Sequence, residues 1–214
     1  MVSVIHTITT GPWHQNGYII EAENGSALII DPGSEPERFC QVLNDRALEP
    51  VAILNTHAHY DHIGAVCELM DRYDGLSFFL HGHDRSLLRQ ANLYRSLFGA
   101  SAPIRVPASF ENLACYIETG LELADFRVEC IATPGHTKGG VCFRIGQQLF
   151  TGDTLLLNGP GRTDLPGGSA TQIQESIQRL LALPGDLEIY PGHGDPGPLG
   201  SVRSQAASTS LLAD

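Results

Sequence analysis

Asn55-Thr56-His57-Ala58-His59-Tyr60-Asp61-His62-Ile63-Gly64 follows directly on the apolar run Val51-Ala52-Ile53-Leu54. The run is short, partly β-branched and preceded by Pro50, the pattern of a buried strand. Three imidazoles and a carboxylate then fall within six residues. His57 and His59 are two apart, so an extended tail puts them on one face. Asp61 and His62 are adjacent and point different ways as the chain turns. Packing neutral imidazoles together buries donors and acceptors without partners, whereas a cation such as zinc takes imidazole nitrogen and carboxylate oxygen together. One strand end can therefore feed two neighbouring metal ions. Past Gly64, an apolar-periodic helix is predicted over 65–73.

Working outward, strands are predicted at 2–10, 18–21, 27–30, 77–81, 114–118, 121–123, 126–132, 141–145, 148–150 and 187–190. Helices are predicted at 36–47, 84–98 and 171–183. Asp84 is the N-cap candidate of the second of these, and Ser169 or Thr171 of the third. In the second, Leu87, Leu88, Ala91, Tyr94, Leu97 and Phe98 share one face. Asn16-Gly17 reads as a turn before 18–21, and the tail beyond Ser201 as loosely held. No Gly-x-Gly-x-x-Gly or Walker loop is present, so a nucleotide fold is not expected. No linker or repeat divides the 214 residues, which are read as one domain over 1–214.

Three further strand ends carry ligand-type side chains. Pro134-Gly135-His136 follows one, Gly152-Asp153 another, and Pro191-Gly192-His193 a third. In each, a rigid strand stops, a glycine lets the backbone turn, and one donor is presented.

The net charge of −11 arises from 13 basic and 24 acidic side chains, with a single lysine, Lys138. That balance speaks against nucleic acid and anionic membrane as partners. Residues 1–10 show no basic n-region or apolar h-region, so the expected location is the cytoplasm. The five cysteines form no Cys-x-x-Cys pair and are read as small reduced residues, not metal ligands.

Taken together, Asp31-Pro32-Gly33, the 57–62 cluster, His136, Asp153 and His193 resemble the motif set of the metallo-β-lactamase-fold hydrolases. Within these, the chain looks most like the short glyoxalase II-like (hydroxyacylglutathione hydrolase-like) branch. The resemblance runs from about Asp31 to His193. It implies an α/β fold, a four-layer αββα sandwich with the site on loops at one edge. It also implies that His57, His59 and His136 hold one divalent ion and Asp61, His62 and His193 a second. Asp153 then bridges, and Asp31 orients the ligand loop by hydrogen bonds. Zinc is the favoured pair, with iron or manganese as alternatives. Water shared by two cations loses a proton near neutral pH and attacks a carbonyl carbon, with Asp61 and Asp153 the acidic residues closest to that chemistry. A thiolate leaves readily, so a small acyl thioester, S-acylglutathione or a related one, is the expected substrate.

The Gly161-Arg162-Thr163-Asp164 segment is similar to both the short glyoxalase II-like proteins and the persulfide dioxygenases. Arg162 is read either as a substrate anchor or as the partner of Asp164. The chain departs from full-length glyoxalase II in ending soon after His193, in having no tyrosine there, and in carrying Arg162-Thr163-Asp164 where the glutathione loop has Lys-x-Tyr. These departures bear on glutathione specificity and leave the metal chemistry untouched. The alternatives are a mononuclear-iron persulfide dioxygenase, for which His59, His136 and Asp153 would form the iron triad, and a hydrolase of another ester or lactone. His81 and His83 are read as part of a polar loop. Trp13, Tyr60 and the 91–110 segment are candidates for the pocket wall.

Overall fold

The computed structural model describes residues 2–99 and 102–209; the last five residues of the tail lie outside them. The N-terminal half builds β1 (Val2–Thr10), β2 (Gln15–Ala22), β3 (Ser26–Ile30), helix α1 (Pro36–Asp45), β4 (Glu49–Leu54), the one-turn α2 (Tyr60–Ile63), α3 (Val66–Arg72) and β5 (Ser77–Leu80). Helices α4 (Arg85–Arg89) and α5 (Ala91–Leu97) and the short β6 (Glu111–Asn112) follow. The C-terminal half builds β7 (Leu121–Leu123), β8 (Phe126–Ala132), β9 (Val141–Ile145), β10 (Gln148–Gly152), the small pair β11 (Leu155–Leu156) and β12 (Gly159–Pro160), and α6 (Ala170–Leu181). It closes with β13 (Glu188–Pro191), β14 (Gly197–Pro198) and α7 (Leu199–Thr209).

Two six-stranded sheets result, ordered β1-β2-β3-β4-β5-β6 and β14-β13-β10-β9-β8-β7. Strand residues alternate between faces, and both faces of both sheets are apolar. Tyr18, Ile20, Leu28, Ile30, Ala52 and Leu54 point inward and meet Phe126, Val128, Phe143 and Phe150 of the other sheet. Their neighbours Ile19, Ile29 and Ile53 point outward, against Phe39, Leu43, Val66 and Leu69 of α1 and α3. On the far side, Cys142, Leu149 and Ile189 pack under Ile173, Ile177 and Leu180 of α6 and Leu199 and Val202 of α7. Helix, sheet, sheet, helix is the four-layer order expected, and near-continuous apolar strands are what a sheet covered on both faces requires.

Strand direction sets where the donors go. β3 and β4 are parallel, as are β10 and β13, while β8 and β10 both run antiparallel to β9. The C-terminal ends of β3 and β4 therefore share an edge of one sheet, and those of β8, β10 and β13 an edge of the other. Backbone hydrogen bonds join these edges: Val141 donates to the Thr56 carbonyl (2.9 Å) and Asn16 to the Gly192 carbonyl (2.8 Å).

Five sequence expectations are corrected. Residues 114–118 are not a strand; Leu113–Tyr116 form a 3-10 turn, opened by the Asn112 side chain accepting from Ala114 N–H at 3.1 Å. The predicted 84–98 helix breaks at Gln90, which ends α4 and begins α5. The break turns Leu97 and Phe98 off the core face, leaving them 70% and 37% exposed, while Leu88 and Ala91 stay buried. Asn16-Gly17 is strand, because Asn16 pairs with Thr9 and its amide donates to the Pro191 and Gly194 carbonyls; the turn is at 11–14 instead. The tail past Ser201 continues α7, whose Val202 is buried and whose Arg203 donates to the Leu181 and Gly185 carbonyls. Asp84 caps no helix, for reasons given below. Ser169, by contrast, accepts from Gln172 N–H and is the cap of α6.

Candidate metal centre

His57 to His62 occupy the turn from β4 into α2, with His59 at the extended N-cap position. His136 follows β8, Asp153 follows β10 and His193 follows β13. Two glycines permit these approaches. Gly152 has φ +47, a conformation that disfavours a side chain, and a Cβ there would lie 2.3 Å from Thr56 Oγ1. At Gly192 the limit is space: a Cβ would lie 2.3 Å from Asp153 Oδ1 and 2.7 Å from His62 Cε1.

The seven side chains converge. His57, His59 and His136 form one group and Asp61, His62 and His193 another, the donor atoms of each lying within 4.8 Å of one another. Asp153 sits between them. Its Oδ1 is 3.5 Å from His62 Nε2, and its Oδ2 is 3.5 Å from both His136 Nε2 and His193 Nε2. Asp61 Oδ2 is 3.5 Å from His193 Nε2 and 3.9 Å from His62 Nε2.

A ring nitrogen binds a cation only when its lone pair is free, and the far nitrogen decides that. Asp31 controls two rings. Its carboxylate accepts from Thr56 N–H (2.7 Å), from the Thr56 hydroxyl (2.6 Å) and from His62 Nδ1 (3.0 Å). With its hydroxyl proton committed to Asp31, Thr56 Oγ1 is left to accept from His57 Nδ1 at 3.0 Å. His136 Nδ1 donates to the Arg162 carbonyl (2.7 Å) and His193 Nδ1 to the Trp13 carbonyl (3.0 Å). All four rings thus spend Nδ1 on the protein and turn Nε2 inward. Asp31 holds φ +47, an uncommon value for a residue with a side chain, in the turn that delivers its carboxylate.

Charge divides the site. Burial and the neighbouring rings of His62, His59 and His136 push His57 well below the ordinary histidine value. Burial, with His136, takes His59 down to about 3, so both present neutral imidazoles. His62 goes the other way, up to about 9: burial opposes protonation, but Asp153, Asp61 and Asp31 outweigh it. Burial would raise Asp61 and Asp153, yet the surrounding histidines hold both below the usual carboxylate range. A cation bound beside Asp61 and Asp153 would replace the proton on His62. His57 Nε2, His62 Nε2 and Asp153 Oδ1 are buried without a hydrogen-bond partner. Native proteins seldom leave such atoms so, since each is costly in an apolar setting. The donor set fits divalent cations at these positions.

Asp84 was missed as a site residue. It is 1% exposed. Its Oδ2 accepts from Ala58 N–H (3.1 Å) and the Thr137 hydroxyl (2.9 Å), and its Oδ1 from Gly139 N–H (2.7 Å). Ala58 stands between His57 and His59, and Thr137 follows His136, so one carboxylate fastens two ligand loops. The sequence shows an Asp after a strand, a pattern shared with ordinary helix caps. Arg162 makes a bidentate pair with Asp164, Nε and Nη2 each at 2.7 Å. His81 and His83 stay outside the cluster, with His83 N–H donating to His81 Nδ1 at 3.3 Å.

The model of the metallo-beta-lactamase superfamily matches residues 10–193. The chain belongs to the metallo-beta-lactamase superfamily. It is 35% identical over 187 residues to the Bacillus subtilis (strain 168) protein YqgX, described as a probable metallo-hydrolase, covering 86% of this chain and 87% of YqgX. A Xanthomonas axonopodis pv. citri (strain 306) hydroxyacylglutathione hydrolase is 34% identical over 186 residues, 85% of this chain but only 62% of that protein. Among solved structures, TTHA1623 in a di-iron-bound form is 38% identical, with a TM-score of 0.81, covering 92% of this chain and 96% of that one. No helix among the described residues is long and apolar enough to cross a membrane.

If Asp31 sets the tautomers of His57 and His62, Asp31→Ala should weaken metal affinity by roughly 10–100-fold. It also leaves the buried Thr56 N–H and His62 Nδ1–H without an acceptor, at about 1–3 kcal/mol each. Chelator-competition titration with a thermal melt checks both. Unchanged metal affinity would remove Asp31 from the ligand-orienting role.

Proposed function

We propose that this superfamily member is a metal-dependent hydrolase of small acyl thioesters. The observation that carries the reading is the inward set of buried, unpartnered donors on His57, His62 and Asp153, completed by His59, Asp61, His136 and His193. In this reading His57, His59 and His136 hold one divalent ion, Asp61, His62 and His193 the other, and Asp153 is shared. Zinc suits the imidazole-rich first group, and iron or manganese is compatible with the carboxylate-bearing second. When bound, such ions polarise a carbonyl and bring the pKa of water toward neutrality.

The chain's own residues do the rest. His57, His62, His136 and His193 are held in one tautomer, so no reorganisation is needed at the moment of reaction. Asp61, kept ionised and lining the cavity above the site, would offer its carboxylate to the second ion and hold water there by accepting a hydrogen bond. A thioester suits this arrangement because a thiolate leaves with little help from a general acid. The similarity to a hydroxyacylglutathione hydrolase supports the reaction class, while the 62% coverage of that relative leaves glutathione recognition unsupported.

Metal-quantified protein, assayed with S-D-lactoylglutathione and with neutral acyl thioesters, tests the reading. The expected result is thioester hydrolysis at about two divalent ions per chain. About one iron with oxygen uptake on glutathione persulfide, and no thioester hydrolysis, would overturn it. Exhaustive chelation should also lower the melting temperature by roughly 10 °C, from about 4 kcal/mol of binding linkage in a chain of this size. Zinc should restore it, and a melt indifferent to chelation and to added metal would count against any built metal site.

A further inference from the structure

The cavity above the donor cluster is about 270 Å³. The Asp and His donors form its floor, and Trp13, Tyr60, Tyr94, Phe98, Leu156 and Leu165 form its walls. The aromatic walls brace one another: Trp13 meets Phe98 edge-on with ring centroids 6.3 Å apart, and Tyr60 lies 6.3 Å from Phe98. The break at Gln90 that turns Phe98 off the core is what brings it here.

Apart from the histidines of the floor, the one cationic side chain in the described lining is Arg162. Both oxygens of Asp164 already occupy its guanidinium at 2.7 Å, and its Cζ lies 5.9 Å from the Phe98 ring centre. Lys138, the chain's single lysine, lines a different cavity with His83 and Pro166. Arg95 donates to the Ala102 carbonyl and lies over Tyr60. With the floor donors Asp61 and Asp153 engaged by bound ions, a substrate bearing carboxylates, such as a glutathione conjugate, would find no free side-chain cation on the walls among the described residues. A neutral alkyl or aryl group would instead bury its surface against the aromatic rings.

We infer that the substrate is a neutral thioester with a medium-length alkyl or aryl acyl group, and that Phe98 and Trp13 set this preference. The hydrolysis itself rests on the reading given under Proposed function; the occupancy of the cavity does not. Two experiments separate them. In the first, kcat/KM of metal-loaded enzyme is measured on N-acetylcysteamine thioesters from acetyl to hexanoyl. It should rise at least roughly tenfold along the series, since each buried methylene is worth about fourfold. Phe98→Ala should flatten the rise, and Phe98→Leu should restore most of it. A flat or falling series with measurable hydrolysis would overturn the inference while the hydrolase reading stood.

The second needs no turnover. Trp13 is the only tryptophan, so its fluorescence reports on the cavity directly. S-hexyl-N-acetylcysteamine should bind at least roughly tenfold tighter than the S-methyl compound, and no more weakly than S-hexylglutathione. Equal binding of hexyl and methyl, or a glutathione conjugate tenfold tighter than its neutral counterpart, would overturn the inference. The expected binding order in a protein that hydrolyses no thioester would uphold the cavity's preference for a neutral alkyl group and remove the thioester along with the hydrolase reading.

Discussion

Asp153→Ala is expected to lose at least roughly a thousandfold in kcat/KM, together with most of the bound metal. Both losses follow from its position. The carboxylate is 3.5 Å from His62 on one oxygen and 3.5 Å from His136 and His193 on the other, so it faces Nε2 atoms of both groups. Removing it takes away the anion between the two donor groups and leaves the histidine rings facing each other without a charge that favours protonation of His62 and His193. A loss of about 4 kcal/mol of transition-state stabilisation corresponds to the thousandfold figure. Asp153→Asn, which keeps the shape and one acceptor oxygen, should fall between the two. Metal per chain by elemental analysis, with kcat/KM on the best thioester, checks the expectation. A fully active Asp153→Ala protein would end the two-ion reading.

The folding pattern explains which parts of this site could be read in advance. Strand faces were legible because burial on both sides writes itself as apolar runs: Leu28-Ile29-Ile30 and Ala52-Ile53-Leu54 send alternate residues to two different cores. The side chains that converge were legible because each stands just past such a run, where a glycine or a turn has no other evident reason to carry a histidine or an aspartate. What escaped was set by contacts distant in the chain. Asn16 carries turn chemistry in its own sequence, yet its amide is drawn into a strand by the Pro191 and Gly194 carbonyls. Phe98 sits at helical spacing with Leu88 and Ala91, and only the break at Gln90 rotates it toward Trp13. Arg162 allowed both a substrate role and a pairing with Asp164; the bidentate geometry shows that the pair is made.

Asp84 is the sharpest case, and its replacement carries the second large expected effect. Asp84→Ala should cost roughly 3–5 kcal/mol, because the N–H groups of Ala58 and Gly139 and the Thr137 hydroxyl are all left buried without an acceptor. In a chain of this size that is a fall of about 10 °C or more in melting temperature. The isosteric Asp84→Asn should fail as well. An amide offers one oxygen, so its nitrogen would stand as a donor against the donor of Gly139, 2.7 Å away, or against those of Ala58 and Thr137. Burial raises the pKa of Asp84, and the three hydrogen bonds oppose but do not reverse this. Its ionised form is therefore held at some cost to stability, which fits a residue kept for the geometry it imposes. That geometry joins the 57–62 turn to the loop of His136 across the two sheets. Metal affinity should accordingly fall with stability in both variants, whereas a purely structural loss elsewhere in the core would lower the melt and leave the affinity of the folded fraction intact. Thermal melts paired with chelator competition separate these outcomes, and an Asp84→Asn protein that melts within about 2 °C of the parent and holds its metal equally well would show that the two loops are positioned without it.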